Sequence, residues 1–136
     1  MPYAREGAIK ISDHQVRSPL LNPSRSCQTC HRYAEKEILA RAEAIQDRTK
    51  ALLLRAEQAT VGRVQELANA KKSGAADDAL QAAQSMRRQA QWRLDFVAAE
   101  NSMEFHAPQE SARILAEAID LAHRGRLELP KPEKQK

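Results

Sequence analysis

The sequence contains few of the residues that build a large hydrophobic core. Aromatic residues make up only 4% of the 136 positions, and much of the 42% hydrophobic content is alanine. Alanine buries little apolar surface, so helices of this composition gain only modest free energy by packing on one another. We therefore expect a cofactor or a partner chain to supply part of the missing apolar surface.

Several functional classes are disfavoured by what the sequence does not contain. No run is long enough and apolar enough to span a membrane. The 22 basic and 18 acidic residues give a net charge of +4 that is spread along the chain, so nucleic-acid binding is not indicated. There is no glycine-rich phosphate loop, no H-E-x-x-H motif and no compelling Ser-His-Asp order. The sequence offers no sign of a catalytic pair.

The first 26 residues differ in character from the rest of the chain. They hold Pro2, Gly7, Pro19 and Pro23. Proline fixes φ and removes a backbone donor, so this stretch predicts extended, irregular backbone. We expect it to wrap around something rather than to fold alone.

From Tyr33 onwards, apolar residues recur at steps of three and four, which is typical of one face of a long helix. The face consists of Ile38, Ala42, Ile45, Thr49, Leu52, Ala56, Thr60, Val64 and Leu67. Ser73 and Gly74 interrupt it, and the acidic pair Asp77 and Asp78 suits the start of a second helix.

The second helix carries its apolar face at Leu80, Ala83, Ala90, Leu94 and Val97, with Trp92, Phe96 and Met103 on an adjoining stripe. Pro108 suits the first turn of a third helix, and Gly125 is predicted to end it. The third helix has its apolar residues at Ile114, Leu115, Ala118, Ile119 and Ala122.

The predicted fold is mainly α. An irregular N-terminal segment (1–32) precedes a long-helix region (33–126), and a polar tail (127–136) follows. The first two long helices read as an antiparallel αα-hairpin with the third helix after it. Their near-heptad stripe suits packing within the hairpin and equally suits a seam between chains. The low apolar content favours the oligomer.

The only two cysteines lie in the stretch Cys27-Gln28-Thr29-Cys30-His31. This is the C-x-x-C-H pattern of covalent c-type haem attachment. Two thiols at this spacing on a tight turn each reach one vinyl group of the same porphyrin, and the histidine that follows reaches the iron. The region 1–32 is therefore predicted to bind haem c through Cys27, Cys30 and His31.

Three other uses of the two thiols are weaker. A closed zinc site needs four ligands, and there is no third cysteine. A thioredoxin-like pair needs a βαβ context, which the sequence does not predict. A disulfide between Cys27 and Cys30 would close too short a loop to stabilise the fold much.

The other histidines are His14 in a proline-flanked loop, His106 at a helix break and His123 near a helix end. A loop leaves a ring nitrogen free to reach a metal, and imidazole is a common axial ligand of electron-transfer haems. From position alone, a surface role is favoured for each. For His123 the preference is stronger, because a cation there faces the negative end of the helix dipole.

The stretches "SDHQVRSP" before CQTCH, and "AQWR" followed by "FHAPQE", give the chain a wider likeness. Over nearly its whole length it resembles the C-terminal part of the ammonia-forming cytochrome c nitrite reductases. These are periplasmic pentahaem enzymes that reduce nitrite to ammonium with six electrons. The resemblance implies that Cys27 and Cys30 bind the last haem, with His31 as proximal ligand. It implies that His14 and His106 are distal ligands of neighbouring haems, and it assigns His123 no role.

The resemblance has further implications for the rest of the enzyme. It implies that the chain is a C-terminal fragment, because "MPY" directly follows a haem motif in the family. The sequence also shows no export signal, although c-type haem is attached outside the cytoplasm. The substrate-binding haem, the catalytic residues and a calcium site would all lie upstream, so no catalytic residue is expected in this chain. A homodimer through the long helices, nitrite as substrate, and an electron-donor cytochrome or quinol dehydrogenase are the implied partners.

Three alternatives remain open at this point. The chain is also compatible with part of an octahaem nitrite- or hydroxylamine-converting cytochrome. It is compatible with a small stand-alone electron-transfer cytochrome in which His31 shares one haem with His14 or His106. A helical interaction module without haem, in which CQTC is redox-active or binds zinc, is the third.

Overall fold

The computed structural model of the chain describes residues 3–12, 18–103 and 105–130. These residues form mostly helix, and the predicted mainly α class with two long antiparallel helices is confirmed. In chain order, the elements are β1 (Tyr3–Glu6), β2 (Ile9–Ser12), a 3₁₀ turn (Pro19–Leu21), α1 (Pro23–Ser26), α2 (Glu35–Lys72), α3 (Asp77–Ala98) and α4 (Pro108–Leu127). Within the described residues, no helix is both long and apolar enough to cross a membrane.

The chain divides into two compact units, Met1–Gln46 and Asp47–Lys136, and the boundary falls inside α2. The first unit holds the two strands, the two short helical turns and the start of α2. The second holds the remainder of α2 together with α3 and α4.

The prediction of irregular backbone is wrong for residues 3–12, which form an antiparallel β-hairpin. Tyr3 pairs with Ser12, and Glu6 pairs with Ile9 across a two-residue loop. Gly7 opens that loop with a φ of 63°, the left-handed conformation that tight hairpin turns require. β2 does alternate apolar and polar residues, Ile9-Lys10-Ile11-Ser12, but each strand is only four residues long and mostly exposed, so the sequence signal for a hairpin is short.

The turn between α2 and α3 forms where Ser73 and Gly74 predicted it. Gly74 has a φ of 88°. Its N–H donates to the Lys71 carbonyl at 3.1 Å, and the Ala75 N–H donates to the Ala70 carbonyl at 3.1 Å. These two bonds are those of a Schellman motif, in which only a residue tolerant of positive φ fits at the first position after the helix.

The core of the second unit lies where α2, α3 and α4 meet. Its buried residues are Ala56, Leu94, Val97, Leu115 and Ala118, and Leu52, Leu53, Ile114 and Ile119 pack against them. All five residues predicted for the α3 face are buried. On α2 the prediction fails at Val64, which is 45% exposed, because Arg63 takes the inward position and is only 4% exposed.

Arg63 lies inside the helix packing because it has a charged partner. It forms an ion pair with Glu66, one turn along α2, and Arg126 of α4 approaches the same carboxylate at 3.7 Å. Burial of the guanidinium lowers its pKa. A buried arginine without such a partner would be strongly destabilising, because its charge would be left uncompensated.

A second ion-pair network joins α3 to α4. Arg93 Nε lies 3.0 Å from Glu117 Oε2, and Arg113 pairs with both Glu117 and Glu110. The hydrogen bond from Arg93 lowers the pKa of the Glu117 carboxyl, and that from Arg113 lowers the pKa of Glu110. Both carboxylates therefore favour the folded state only while they are ionised.

Gly125 does not end α4 as predicted, since the helix continues to Leu127. Its φ is not positive, unlike those of Gly7 and Gly74. A Cβ at this position would lie 3.3 Å from Met86 Cβ and 3.5 Å from the Ala83 carbonyl oxygen. Gly125 is therefore a close-packing residue that lets α4 approach the backbone of α3.

Candidate haem-attachment site

The cysteine motif follows directly on α1, which is held by bonds close in sequence. Pro23 begins α1 and is buried, and its carbonyl accepts from the N–H groups of Cys27 at 2.8 Å and Gln28 at 2.9 Å. The Ser26 hydroxyl lies 2.7 Å from both the Pro19 and the Asn22 carbonyl oxygens. Cys27 thus follows directly after a short helix whose ends are held by hydrogen bonds.

The motif itself is a turn closed on the Cys27 carbonyl. That oxygen accepts from the N–H of Cys30 at 3.1 Å and from the N–H of His31 at 2.9 Å. The Thr29 hydroxyl donates to the Ser26 carbonyl at 2.9 Å. One backbone oxygen therefore fixes the separation of the two cysteines and the position of the His31 backbone nitrogen.

After His31 the chain has no regular structure until α2 begins. Gln28 Nε2 donates to the Tyr33 carbonyl at 2.9 Å and so reaches across this stretch. The Arg41 guanidinium lies 4.1 Å from the centre of the Tyr33 ring. Glu37 hydrogen-bonds Arg41 at 2.6 Å and raises the pKa of its guanidinium.

The residues of the turn fit a covalently attached haem. Both thiols are free, with Cys27 half-buried and Cys30 exposed, and the His31 side chain is exposed. Haem attachment uses two thiols and one imidazole, and one short turn supplies all three groups with neither thiol in a disulfide. The Ser26 hydroxyl lies 3.5 Å from the Cys27 sulfur, and the Thr29 hydroxyl donates to the Cys30 sulfur at 3.8 Å. Sulfur is a weak hydrogen-bond donor and acceptor, so neither contact blocks attachment.

The alternatives to haem find less support in the same geometry. In the part of the chain that the structure describes, no group of three or more His, Cys, Asp or Glu residues is placed to hold a metal ion. A closed zinc site needs such a group, whereas haem iron takes only axial ligands from the protein. The strands described here form one antiparallel hairpin, which is not the parallel sheet of a thioredoxin-like βαβ unit.

His106 lies exposed in the turn between α3 and α4, in the second unit. Glu100 accepts from the Ser102 N–H at 2.9 Å and from its hydroxyl at 2.6 Å, and Met103 has a φ of 54°. The His106 ring lies 4.4 Å from that of Phe105, tilted by 48°. The imidazole is thus exposed beside a neighbouring ring, and its assignment as an axial ligand stays a prediction.

The predictions for the other two histidines, His14 and His123, have different outcomes in the structure. His14, predicted from the resemblance to be an axial ligand, lies outside the described residues. His123 is on α4 and exposed, as expected for a surface histidine.

Sequence reasoning gave no role to two features. The Gln28–Tyr33 bond has no signal in the sequence, because the C-x-x-C-H motif places no requirement on its two middle residues. Trp92 and Phe96 had a signal, their spacing of four on one helix, and they form a stacked pair with ring centroids 5.6 Å apart. Trp92 is 65% exposed, so this is apolar surface that the described residues leave uncovered.

The sequence of this chain has relatives among known proteins. Across residues 1–136 it matches the family described as Cytochrome c552. Cytochrome c-552 of Bacteroides thetaiotaomicron is 40% identical over 131 residues, which cover 96% of this chain and 27% of that protein. Cytochrome c-552 of Aliarcobacter butzleri is 38% identical over 131 residues, which cover 96% of this chain and 26% of that protein.

The fold also has a relative among solved structures. It is similar to cytochrome c nitrite reductase from Desulfovibrio desulfuricans, a catalytic subunit described with two calcium sites. The TM-score is 0.79 with 30% sequence identity, over 93% of this chain and 28% of that one. The chain spans about a quarter of the length of the relatives it matches. Sequence and fold agree with the resemblance, and the chain belongs to the cytochrome c552 family.

Proposed function

We propose that this chain acts as part of a periplasmic multihaem cytochrome c that reduces nitrite to ammonium with six electrons. The observation that carries the proposal is the Cys27–His31 turn, with two free thiols and an exposed imidazole, in a chain that matches the family along its whole length. The likeness to a cytochrome c nitrite reductase supports the choice of reaction.

Each residue of the turn has a separate task in this proposal. Cys27 and Cys30 retain the cofactor through two thioether bonds, and His31 is its proximal axial ligand. The Cys27 carbonyl, which accepts from both Cys30 and His31, holds the three groups in register. When bound, the haem supplies one-electron transfer. A haem that takes a second histidine ligand in addition to His31 would have no open position for nitrite, and it would conduct electrons only.

The other two ligands serve neighbouring haems. His106 is proposed as the distal ligand of one, and its exposure in the turn before α4 supports this because the imidazole is free to coordinate. His14 is proposed as the distal ligand of another. No catalytic residue is assigned to this chain. The substrate-binding haem and a calcium site belong to the rest of the enzyme, and the chain alone is expected to be inactive.

The long helices are proposed to form a homodimer interface. Leu54 and Val61 lie seven residues apart on α2, close to Val64, and they are 47%, 48% and 45% exposed. Seven-residue spacing places apolar side chains on one helix face, as a seam between helices requires. The remaining proposed partners are nitrite and a periplasmic electron donor, either a cytochrome or a quinol dehydrogenase. The periplasm follows from where c-type haem is attached.

Covalent haem attachment tests the proposal most directly. The chain would be produced with an export signal and the c-type haem maturation machinery, as parent, Cys27→Ser, Cys30→Ser and, as control, His123→Ala. We expect haem stain on a denaturing gel for the parent and the control, and weaker stain for both serine variants. A parent chain without covalent haem would refute the proposal.

The reaction is tested on the complete protein. With a reduced dye as electron donor, it should convert nitrite to ammonium, whereas this chain alone should give no more ammonium than free haem. The number of haems in the complete protein distinguishes a pentahaem enzyme from an octahaem enzyme. A complete protein that carries a single haem and does not reduce nitrite would support the stand-alone cytochrome instead.

A further inference from the structure

One side-chain hydrogen bond crosses over the histidine of the motif. Gln28 Nε2 donates to the Tyr33 carbonyl at 2.9 Å, and His31 lies between these two residues in the chain. Backbone bonds hold the motif only as far as the His31 N–H. Among the described residues, none begins at the N–H of Arg32 or Tyr33, and the next ones run from Glu37 and Ile38 to the Ala34 carbonyl.

The far end of this bond is well anchored. The Tyr33 ring lies under the Arg41 guanidinium at 4.1 Å, and Arg41 is paired with Glu37 at 2.6 Å. Arg41 and Glu37 both lie on the first two turns of α2. Gln28 therefore joins the cysteine turn to the start of a long helix, and the segment with His31 is held at both ends.

We propose that Gln28 is a positioning residue that fixes the direction of the His31 imidazole towards the haem iron. The inference rests on the proposed function, in which His31 is the proximal ligand. Groups around a metal ligand orient it and tune the metal. Here the amide acts on the backbone that carries the ligand. A segment fixed at both ends has fewer conformations than one fixed at one end, so the backbone from which the imidazole extends is confined.

The test compares two variants that each lose a hydrogen bond of 2.9 Å in the cysteine turn. Gln28→Met keeps the side-chain length and removes the donor to Tyr33. Thr29→Val is the matched control, because the Thr29 hydroxyl donates to the Ser26 carbonyl at 2.9 Å and to the Cys30 sulfur at 3.8 Å, and neither bond crosses His31. Parent and variants would be produced with the haem maturation machinery. Haem stain, the electron paramagnetic resonance spectrum of the oxidised haem, and its midpoint potential would be measured for each.

We expect all three proteins to retain covalent haem. Gln28→Met should shift or broaden the resonance lines of the haem and move its midpoint potential, whereas Thr29→Val should match the parent in both. A Gln28→Met protein with parental spectrum and potential would overturn the inference, even if its melting temperature fell, since that would show a purely structural role. Equal spectral changes in both variants would overturn it too. A parent without haem would instead mark failure of the proposed function.

Discussion

Two glycines inside long helices allow the close packing of α4 on α3 to be measured. Gly125 lies on α4 against Met86 and Ala83, whereas a Cβ at Gly62 on α2 would meet nothing within 4 Å. Neither residue has a positive φ. The substitutions Gly125→Ala and Gly62→Ala therefore add the same methyl group to the same type of backbone, and they differ only in what that methyl group meets.

The magnitude follows from two opposing effects. Replacing glycine by alanine in a helix interior stabilises it by about 1 kcal/mol at either position. At Gly125 the new Cβ would lie 3.3 Å from Met86 Cβ. Met86 Cβ is fixed by its own backbone and cannot swing away, so overpacking costs about 1–3 kcal/mol. Gly62→Ala should stabilise the chain, and Gly125→Ala should be less stable than Gly62→Ala by that steric cost.

Thermal unfolding followed by far-ultraviolet circular dichroism measures the difference. For a chain of this size, 1 kcal/mol corresponds to about 3 °C in melting temperature, so the two variants should differ by about 3–9 °C. Because the helix-propensity gain is common to both, their difference isolates the steric effect. Equal melting temperatures would refute the view that Gly125 is present for close packing.

Three further predictions concern the ligand, the ion pairs and the core. In the complete protein, His106→Ala should leave the CQTCH haem low-spin and perturb a neighbouring haem, while His123→Ala changes neither spectrum; a high-spin CQTCH haem would contradict the assignment. Because its arginine partners lower the pKa of Glu117, its contribution to stability is present above the ordinary carboxyl pKa of about 4.3 and lost as pH falls through the folded value. The melting temperature should therefore drop less on acidification in Glu117→Gln, and an unchanged drop would count against the pairing. Leu115→Ala, at a fully buried site, should cost about 2–5 kcal/mol, against less than about 0.5 kcal/mol for Leu127→Ala at 82% exposure, in denaturant unfolding.

The parts of the fold that the sequence predicted depend on local chemistry. The turn at Gly74 needs a residue with positive φ, and Asp77 and Pro108 suit the first turns of helices, so each boundary could be read from a few residues. The α3 face was predicted in full because its apolar residues keep one helical period. The C-x-x-C-H spacing is equally local, and it identified the candidate site without any knowledge of the fold.

The parts that could not be predicted depend on packing between elements. Gly125 looks like a helix end in sequence, and only the position of Met86 shows that it is needed for close approach. Arg63 displaced Val64 from the inner face because Glu66 pairs with its charge, which no apolar period reveals. The bond from Gln28 to Tyr33 needs the loop conformation, which the spacing of the motif does not specify.

The bonds that shape the cysteine turn have a consequence for the order of folding. Every one of them joins residues within Pro19–Tyr33, and the longest spans seven positions, from Ser26 back to Pro19. Closing such short loops costs little chain entropy, and contacts so near in sequence form early. The attachment turn therefore does not depend on the packing of α3 against α4 to take shape. An enzyme that attaches haem to a newly exported chain would meet a preformed substrate while the long helices are still unpaired.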